Sequence, residues 1–473
     1  MFFKRILAFT LLAALLPLSN AQAEVKWPYV LDIDFSDNGY DTQAASGAQK
    51  LVMDGEDTIV AVTTTVSGSD EVDVELLRYN ASGQLKPWSG GATHLPILTP
   101  GDAGALILAV GDLQIDQHGD LHLLLDVRAN GNTHSDTWLL SMASNGVVRG
   151  MRSVSHTAAS ETGRRILIRG NRLFALVMGD TRWTKLSAYD LAENTAPAVA
   201  TGWGVNGVRT YSAGLCATPE PAICNTNATH LVTAPGPLIL FPTPNDTSGF
   251  YIGGSIERHI GYPSSHDMFL LKLDADGLPV TTYGDHGWYL WGTDQEDHMA
   301  GLQIIRTDLA FTGKHDVLAL SAMKRACGEG IIISRRSGAD GSQISRTFTH
   351  GGSGSGTSCD SIVAKDMVLG GGNRLAVVGT YVSPVLLNTN AAMLLTFNPD
   401  TLNDSQDVQT LLGGGSGVVA PSYGFNAIAR HPTRNRLMAV GNGSQFTLGA
   451  GWRGVALISA LKEKPLFSDG FED

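Results

Sequence analysis

The residues best suited to chemistry are concentrated between positions 259 and 298. They are imidazoles, carboxylates and indoles in two consecutive turn-rich segments: His259, His266, Asp267, Trp288, Trp291, Asp294, Asp297 and His298. Histidine and aspartate can bind a metal ion or transfer protons, and tryptophan rings can stack on sugars, so a sugar-binding or metal-assisted site is one interpretation. The alternative is that both tryptophans pack between structural elements and the charged residues are solvated. We favour this alternative because no ligand spacing such as His-Glu-x-x-His occurs.

Other chemical motifs in the chain are weaker. Leu273-Asp-Ala-Asp-Gly277 resembles half of a calcium-binding loop, but Leu278 and Pro279 follow it where further oxygen ligands are needed. The glycine-rich segment 351–356 contains Gly-x-Ser-x-Gly, yet neither Lys-Ser/Thr nor a helical pattern follows it. We therefore predict no catalytic residue, no metal site and no cofactor, and we expect the aspartate-rich segment to form a hairpin turn.

The chain begins with a pattern typical of an export signal. Lys4 and Arg5 precede an apolar run over residues 6–18, and Ala21-Gln-Ala23 then supplies a small-x-small cleavage site. The run is shorter than the roughly 20 residues that cross a bilayer. The pattern predicts a signal peptide cleaved after Ala23 and a secreted, periplasmic or cell-surface protein with no membrane span.

Export affects the interpretation of the four cysteines, which are Cys216, Cys224, Cys327 and Cys359. An oxidising compartment favours disulfides, whereas a zinc site needs close pairs such as Cys-x-x-Cys, which the chain lacks. Four cysteines allow three pairings. Sequence proximity favours Cys216 with Cys224 and Cys327 with Cys359.

The overall composition restricts the class of protein and partner. The 473 residues include 33 Lys+Arg, 45 Asp+Glu and 55 Gly, and only 16% are charged. An average chain is about 25% charged, so long exposed helices and charge-driven disorder are disfavoured. The net charge is −12, and removal of Lys4 and Arg5 with the signal peptide makes it −14. Electrostatic binding to nucleic acid or to an anionic membrane is therefore not expected.

A repeat of about 63 residues organises the chain. Aliphatic runs that precede a turn begin at positions 74, 137, 185, 268, 331, 392 and 455, with successive differences of 63, 48, 83, 63, 61 and 63. The turn glycines keep this phase, because Gly83 and Gly146 are 63 residues apart and Gly277 and Gly341 are 64 apart. Self-similarity at a fixed period is typical of repeat architectures. The chain therefore contains seven units.

Each unit contains short aliphatic runs bounded by Gly, Asn, Asp or Ser, a pattern typical of strands joined by tight hairpins. With no helical pattern between them, the units predict an all-β fold, a seven-bladed β-propeller of four-stranded antiparallel blades. The last unit has three strands, whereas residues 29–35 precede the first unit without a partner. Because unpaired edges invite aggregation, we expect residues 29–35 to provide the outer strand of blade seven. The predicted divisions are a signal peptide (1–23), the propeller (24–463) and a tail (464–473).

An aromatic-Gly/Ser-x-x-Gly element follows the fourth strand in several units: Phe35-Ser-Asp-Asn-Gly39, Trp203-Gly-Val-Asn-Gly207 and Tyr283-Gly-Asp-His-Gly287. With Leu76-Leu-Arg-Tyr-Asn-Ala-Ser-Gly83 and the Val-Gly strand ends at Gly379 and Gly441, the chain resembles the delta-60 repeat of bacterial secreted and surface proteins. The third unit lacks a glycine turn after Tyr189, and the fifth lacks the aromatic-Gly element. The resemblance implies a propeller-like fold and brings no established reaction and no catalytic residue.

Fold and compartment together predict a non-enzymatic binding or surface module, a monomer whose ligand is an unidentified protein or glycan. Its ligand face is expected to be the crossing-loop face, which holds the loops between second and third strands and the loops that cross between blades. The alternative is a propeller enzyme, a hydrolase or lyase, that acts on extracellular polysaccharide through the 259–298 cluster. The two hypotheses differ in whether His266, Asp297 and His298 converge in a water-accessible pocket.

Overall fold

The computed structural model describes residues 29–99, 105–155, 159–179, 183–212, 239–242, 249–258, 265–285, 287–292, 297–306, 314–324, 328–350, 360–371, 374–382, 390–402, 409–413, 422–447 and 451–463. Within these ranges the regular elements are β-strands, and they form seven antiparallel sheets. No helix in these ranges has the length and apolar character needed to cross a membrane. The predicted signal peptide, the four cysteines and the tail lie outside the described residues, so those predictions stay predictions.

The seven sheets follow one another along the chain and are the blades of a seven-bladed β-propeller, which confirms the predicted fold class. From the innermost strand outward, the first four blades contain these strands: blade 1, Gly47–Asp54, Asp57–Thr65, Val72–Tyr79 and His94–Ile97; blade 2, Leu106–Ile115, Leu121–Arg128, Asp136–Met142 and Val148–Ser155; blade 3, Glu161–Arg169, Arg172–Gly179, Trp183–Asp190 and, both on the third strand, Ala198–Val199 and Val208–Ser212; blade 4, Ile239–Pro242, Phe250–Arg258, Ser265–Leu273 and Trp288–Trp291.

The remaining blades have the same order: blade 5, Asp297–Arg306, His315–Lys324, Glu329–Ser337 and Gln343–His350; blade 6, Ser361–Leu369, Leu375–Val382, Asn390–Phe397 and Gln409–Gly413; blade 7, Ser422–Arg430, Arg436–Thr447, Gly451–Glu463 and the N-terminal strands Tyr29–Leu31 and Tyr40–Ala44. The innermost strands form a closed ring, because each contacts the inner strands of both neighbouring blades. Apolar clusters fill the interfaces between adjacent blades, one at each of the seven interfaces in the described chain. Burial of both blade faces explains the low fraction of charged residues.

The two ends of the described chain meet in blade 7. Tyr29–Leu31 pairs with residues 461–463, and Tyr40–Ala44 pairs with residues 455–459 of the same strand. The prediction that an N-terminal strand closes the ring is confirmed. The outer strand has two pieces because the chain turns between them, with Ser36 and Asp37 at φ angles of 51° and 60°.

The aromatic-glycine elements connect blade 7 to blade 1, blade 3 to blade 4 and blade 4 to blade 5. Three aromatic rings each lie against a hairpin glycine of the following blade. A Cβ atom added to the glycine would lie 3.0 Å from Phe35 at Gly83, 2.6 Å from Trp203 at Gly277 and 3.1 Å from Tyr283 at Gly341. The three glycines also have φ angles of 75°, 74° and 79°. Both the backbone and the packing therefore favour glycine. We call each of these contacts a blade latch, and they give the repeated sequence signature an architectural role.

Blade 3 makes the same kind of turn without glycine. Asn194 has a φ angle of 60° there, and Arg149 of blade 2 donates a hydrogen bond to its Oδ1 at 2.6 Å. Asparagine tolerates the left-handed conformation better than most residues because its short amide can bond locally. Blade 3 thus keeps the turn, and Asn194 takes the place of the glycine that is missing after Tyr189.

The aspartate-rich segment of blade 4 forms the predicted hairpin turn. Asp274 Oδ1 accepts hydrogen bonds from the N–H groups of Asp276 and Leu278, at 2.9 and 2.8 Å. The carboxylate therefore organises the turn through its own backbone, as turn aspartates commonly do.

Candidate functional site

The predicted 259–298 cluster lies only partly within the described residues. His259 and Asp294 lie outside them, while His266, Asp267 and Asp297 are placed by their backbone alone. The register sets Met268 opposite Trp291, and Asp297 and His298 begin the inner strand of blade 5. These strand ends share the crossing-loop face. Convergence of the imidazoles and carboxylates in one pocket stays a prediction.

The two tryptophans of the cluster make apolar and cationic contacts between blades. Trp288 packs on Phe269, with ring centroids 5.3 Å apart, in the apolar cluster between blades 3 and 4. The Trp291 ring lies 3.9 Å from the guanidinium carbon of Arg336, a buried residue of blade 5, and adjoins the cluster between blades 4 and 5. Both indoles are partly exposed. Packing therefore accounts for most of their surface.

Ser141, His122 and Asp116 form a hydrogen-bonded chain inside blade 2. The imidazole Nδ1 lies 2.8 Å from Ser141 Oγ, and its Nε2 lies 3.1 Å from Asp116 Oδ2. These are the residue types of a nucleophilic triad. However, Ser141 and His122 are only 1% and 2% exposed, so a substrate has no access to the hydroxyl.

The same chain of hydrogen bonds has a structural role. Asp116 Oδ1 accepts the N–H groups of His118 and Asp120 at 2.8 and 2.9 Å, which closes the turn between the first two strands of blade 2. Burial opposes ionisation of Asp116, but hydrogen bonds from His122 and from these two amides together hold its pKa below the ordinary value. We conclude that this constellation ties a turn to its blade.

The inner strands of blades 1, 2, 3, 5, 6 and 7 each contain a β-bulge at a similar position along the strand. A bulge adds a residue and redirects the side chains that follow it. The residues directly after these bulges are Lys50, Asp112, Arg165, Gly301, Asp366 and Ala427. Four blades thus place a charged side chain directly after the bulge of the inner strand.

These charges influence one another across the centre of the ring. Burial lowers the pKa of Lys50, the carboxylates of Asp112 and Asp366 oppose that effect, and Arg165 and Arg164 add to it. Burial raises the pKa of Asp366, and Arg165 is the charge that most opposes the rise. Blade 6 adjoins neither blade 1 nor blade 3. The head groups therefore share the central lumen, and we call Lys50, Asp112, Arg164, Arg165 and Asp366 the lumen cluster.

The two aspartates of the lumen cluster join successive inner strands. Asp112 accepts the N–H of Leu113 at 2.9 Å and the N–H of Ile166 in blade 3 at 2.8 Å. Asp366 repeats this arrangement and accepts the N–H groups of Met367 and of Ile428 in blade 7, at 2.9 and 3.1 Å. In both cases one oxygen binds its own strand and the other binds the next blade. The carboxylates are fixed by backbone donors.

The basic members of the lumen cluster have few acceptors. Among the described residues, Lys50 has no hydrogen-bond or ion-pair partner. Arg165 Nε lies 3.5 Å from Asp112 Oδ2, and Asp112 raises the pKa of Arg165. Arg164 contacts the sulfur of Met178 at 4.0 Å, and its buried Nε has no partner in the described chain. All three side chains are partly exposed, and together they bring a surplus of N–H donors to the lumen.

No protein-family model matches the chain, and no curated protein matches it. Solved structures match at low identity. The WD40 domain of SCAP from fission yeast is 7% identical, with a TM-score of 0.37 over 89% of this chain and 87% of that one. The polysaccharide lyase Uly1 is 10% identical, with a TM-score of 0.45 over 89% and 91%. A subtype N10 neuraminidase-like protein of A/little yellow-shouldered bat/Guatemala/060/2010 is 9% identical, with a TM-score of 0.38 over 76% and 96%. Likenesses this weak identify no function.

The lumen cluster lies outside the residues that the sequence singles out. One signal for it is present in the sequence: Lys50 and Asp112 are 62 residues apart, close to one repeat, and each interrupts an apolar run. The side-chain identity changes from blade to blade, so the position does not form a motif. The basic residues of blades 1 and 3 come close together only in the folded propeller, so the sequence does not reveal their proximity.

Proposed function

We propose that this protein is an exported β-propeller that acts as a binding or surface-interaction module and holds its ligand in the central lumen. The observation that carries the proposal is the group formed by Lys50, Arg164 and Arg165, which has more N–H donors than acceptors in the described part of the chain: Lys50 has no partner there, Arg164 contacts only the sulfur of Met178, and Arg165 pairs only with Asp112. Charges enclosed without partners cost folding free energy. A binding role explains the group better than a contribution to stability does.

The compartment is supported by the sequence. The export pattern over residues 1–23 favours a secreted, periplasmic or surface protein, and the delta-60 resemblance agrees with that location. The lumen cluster has three basic groups against two carboxylates, so it has a surplus of positive charge in a chain whose net charge is −12. This arrangement favours a ligand with negative character.

A glycan array with the purified mature protein tests the proposal. We expect saturable binding to a subset of glycans, and we expect Lys50→Met to reduce it. Metal analysis of the same preparation adds a second readout. Binding that leaves the glycan intact over hours supports a module, and release of shorter products contradicts it. A stoichiometric metal contradicts the prediction that the chain has no metal site.

The second candidate is an enzyme, a hydrolase or lyase, that acts on extracellular polysaccharide. It is favoured by the backbone placement of Asp267, Trp291 and His298 on the crossing-loop face of blades 4 and 5. Incubation with acidic and neutral polysaccharides would reveal new reducing ends for a hydrolase or unsaturated ends for a lyase. Activity that His298→Ala abolishes would establish this alternative.

A further inference from the structure

We infer that the lumen cluster binds a singly charged oxyanion group of the ligand, a carboxylate or a sulfate ester. The inference rests on the proposed binding function and assigns a chemical class to its ligand. It follows from three features of the cluster, which are its position, its donors and its balance of charge.

The basic groups come from the inner strands of two blades. Lys50 lies on the inner strand of blade 1, and Arg164 and Arg165 lie on that of blade 3. Blade 2 contributes Asp112 between them, and this carboxylate is held by backbone N–H groups of blades 2 and 3. The aspartate therefore keeps the inner strands in place while the cations remain directed to the lumen.

Hydrogen-bonding capacity defines what fits there. An ammonium group carries three N–H donors and a guanidinium five. The lumen carboxylates of Asp112 and Asp366 already accept two backbone amides each. The described cations therefore have more unused hydrogen-bonding capacity than the carboxylates, and the complementary ligand is an acceptor with several oxygen atoms. Planar guanidinium groups bind such oxyanions with two parallel hydrogen bonds.

The balance of charge favours a single negative charge. The cluster combines three cations, Lys50, Arg164 and Arg165, with two carboxylates, Asp112 and Asp366, so it carries a surplus of one positive charge when all five groups are ionised. A dianion such as a phosphate monoester would meet the repulsion of two carboxylates in a poorly screened space. A neutral sugar would leave the surplus positive charge of the cluster unbalanced. A carboxylate or a sulfate ester satisfies the donors with the least repulsion.

Titration calorimetry on the purified mature protein tests this assignment with four sugars: sodium glucuronate, glucose 6-sulfate, glucose 6-phosphate and glucose. We expect glucuronate and glucose 6-sulfate to bind at least about tenfold more tightly than the other two, since one hydrogen bond to a charged group contributes about that factor. Lys50→Met and Arg165→Gln should each weaken glucuronate binding about tenfold or more. Lys462→Met is the control because Lys462 is an exposed lysine on the third strand of blade 7, away from the inner strands, and it should change nothing.

Additional variants and measurements distinguish loss of binding from loss of folding, and failure of the oxyanion assignment from failure of the binding function. Lys50→Arg keeps the charge and should retain binding within about threefold, and urea unfolding of every variant identifies any that fails to fold. Equal affinity of wild type and Lys50→Met for glucuronate overturns the inference, as does a stability change in Lys50→Met with no effect on ligand. If neutral glycans bind on the array and the acidic sugars do not, the binding module stands and the oxyanion assignment fails. If nothing binds in either experiment, both fail.

Discussion

Asp126 and Asp116 are buried carboxylates of the same blade, and their surroundings move their pKa values in opposite directions. Hydrogen bonds from His122 and two amides lower the pKa of Asp116 despite burial. Burial raises the pKa of Asp126 to about 7, although Gly163 N–H and Thr137 Oγ1 donate to its Oδ1 at 2.7 and 3.2 Å. The nearby charge of Arg164 opposes the rise and that of Glu161 adds to it. Asp126 thus combines deep burial with a pKa near neutrality.

This carboxyl makes the free energy of unfolding depend on pH. Its folded pKa of about 7 exceeds the ordinary value of 3.8, so its contribution is complete below about pH 4 and is lost as the pH rises to about 7. Between pH 5 and pH 8 that loss is about 2 to 3 kcal/mol. Asp126→Asn does not titrate and should escape the loss.

Urea unfolding at pH 5 and pH 8 measures the effect. We expect the difference in unfolding free energy between wild type and Asp126→Asn to move in favour of the variant at pH 8 by about 2 to 3 kcal/mol. The exposed Asp73 supplies the control, and Asp73→Asn should follow the wild-type pH dependence. A difference that is constant with pH would contradict the prediction.

At the level of strands and turns, the sequence repeat corresponds to contacts between a ring of one blade and a hairpin turn of the next. In the latch between blades 3 and 4, Trp203 Nε1 donates to Ala275 O at 3.0 Å and the Tyr211 hydroxyl donates to Gly277 O at 2.7 Å. The indole covers the turn so closely that a Cβ atom on Gly277 would lie 2.6 Å from it. The hairpin of blade 4 is therefore shaped to receive the indole ring of blade 3.

Gly277→Ala should destabilise the protein more than an alanine at an equally left-handed but open turn. Gly131 is the matched control because its φ is 79° and nothing lies within 4 Å of its Cβ position. Left-handed alanine costs roughly 1 to 2 kcal/mol at both sites, and overpacking against Trp203 adds roughly 1 to 3 kcal/mol at Gly277 alone. Urea midpoints and tryptophan fluorescence measure the difference. Equal midpoints for the two variants would show that the latch does not constrain the turn.

The whole molecule is a ring whose closure combines strand pairing with a buried ion pair. Arg436 Nε donates to Asp32 Oδ2 at 2.7 Å, and its Nη1 donates to Ala81 O at 2.6 Å. Arg436 and Asp32 are only 6% and 4% exposed. One guanidinium thus joins the N-terminal segment, blade 7 and the hairpin turn of blade 1.

Arg436→Met should weaken this closure severely. The variant leaves the Asp32 carboxylate buried without a cation, and breaking a buried pair in this way typically costs about 3 to 5 kcal/mol. Arg453→Met, at an exposed position of the same blade, should change the unfolding free energy little. The double variant with Asp32→Asn should recover part of the loss in a double-mutant cycle. An unfolding midpoint for Arg436→Met equal to that of Arg453→Met would refute this account.

The blades, their number and the closing strand could be predicted from the sequence because strand alternation, turn glycines and their period are local signals. The lumen cluster could not, since bulges shift the alternation and Lys50 meets Arg165 only through the ring. The Ser141–His122–Asp116 chain was equally hidden, because its members lie on different strands and a turn. For the 259–298 cluster, the sequence predicts the face of the propeller on which the residues lie. The packing of Trp288 and Trp291 against the apolar clusters between blades is known only from the structure.

The pairing of the first described strand with the last one also sets the order in which the molecule can be assembled. Tyr29 pairs with Glu463, 434 positions later (463 − 29), whereas blades 1 to 6 find their strands within one repeat. Long-range pairings form late because they must overcome the entropy of closing a large loop. A chain threaded through a membrane pore from its N-terminus would therefore emerge as an open arc of folded blades. It would become a ring only when residues 451–463 arrived to meet the strand that had left the pore first.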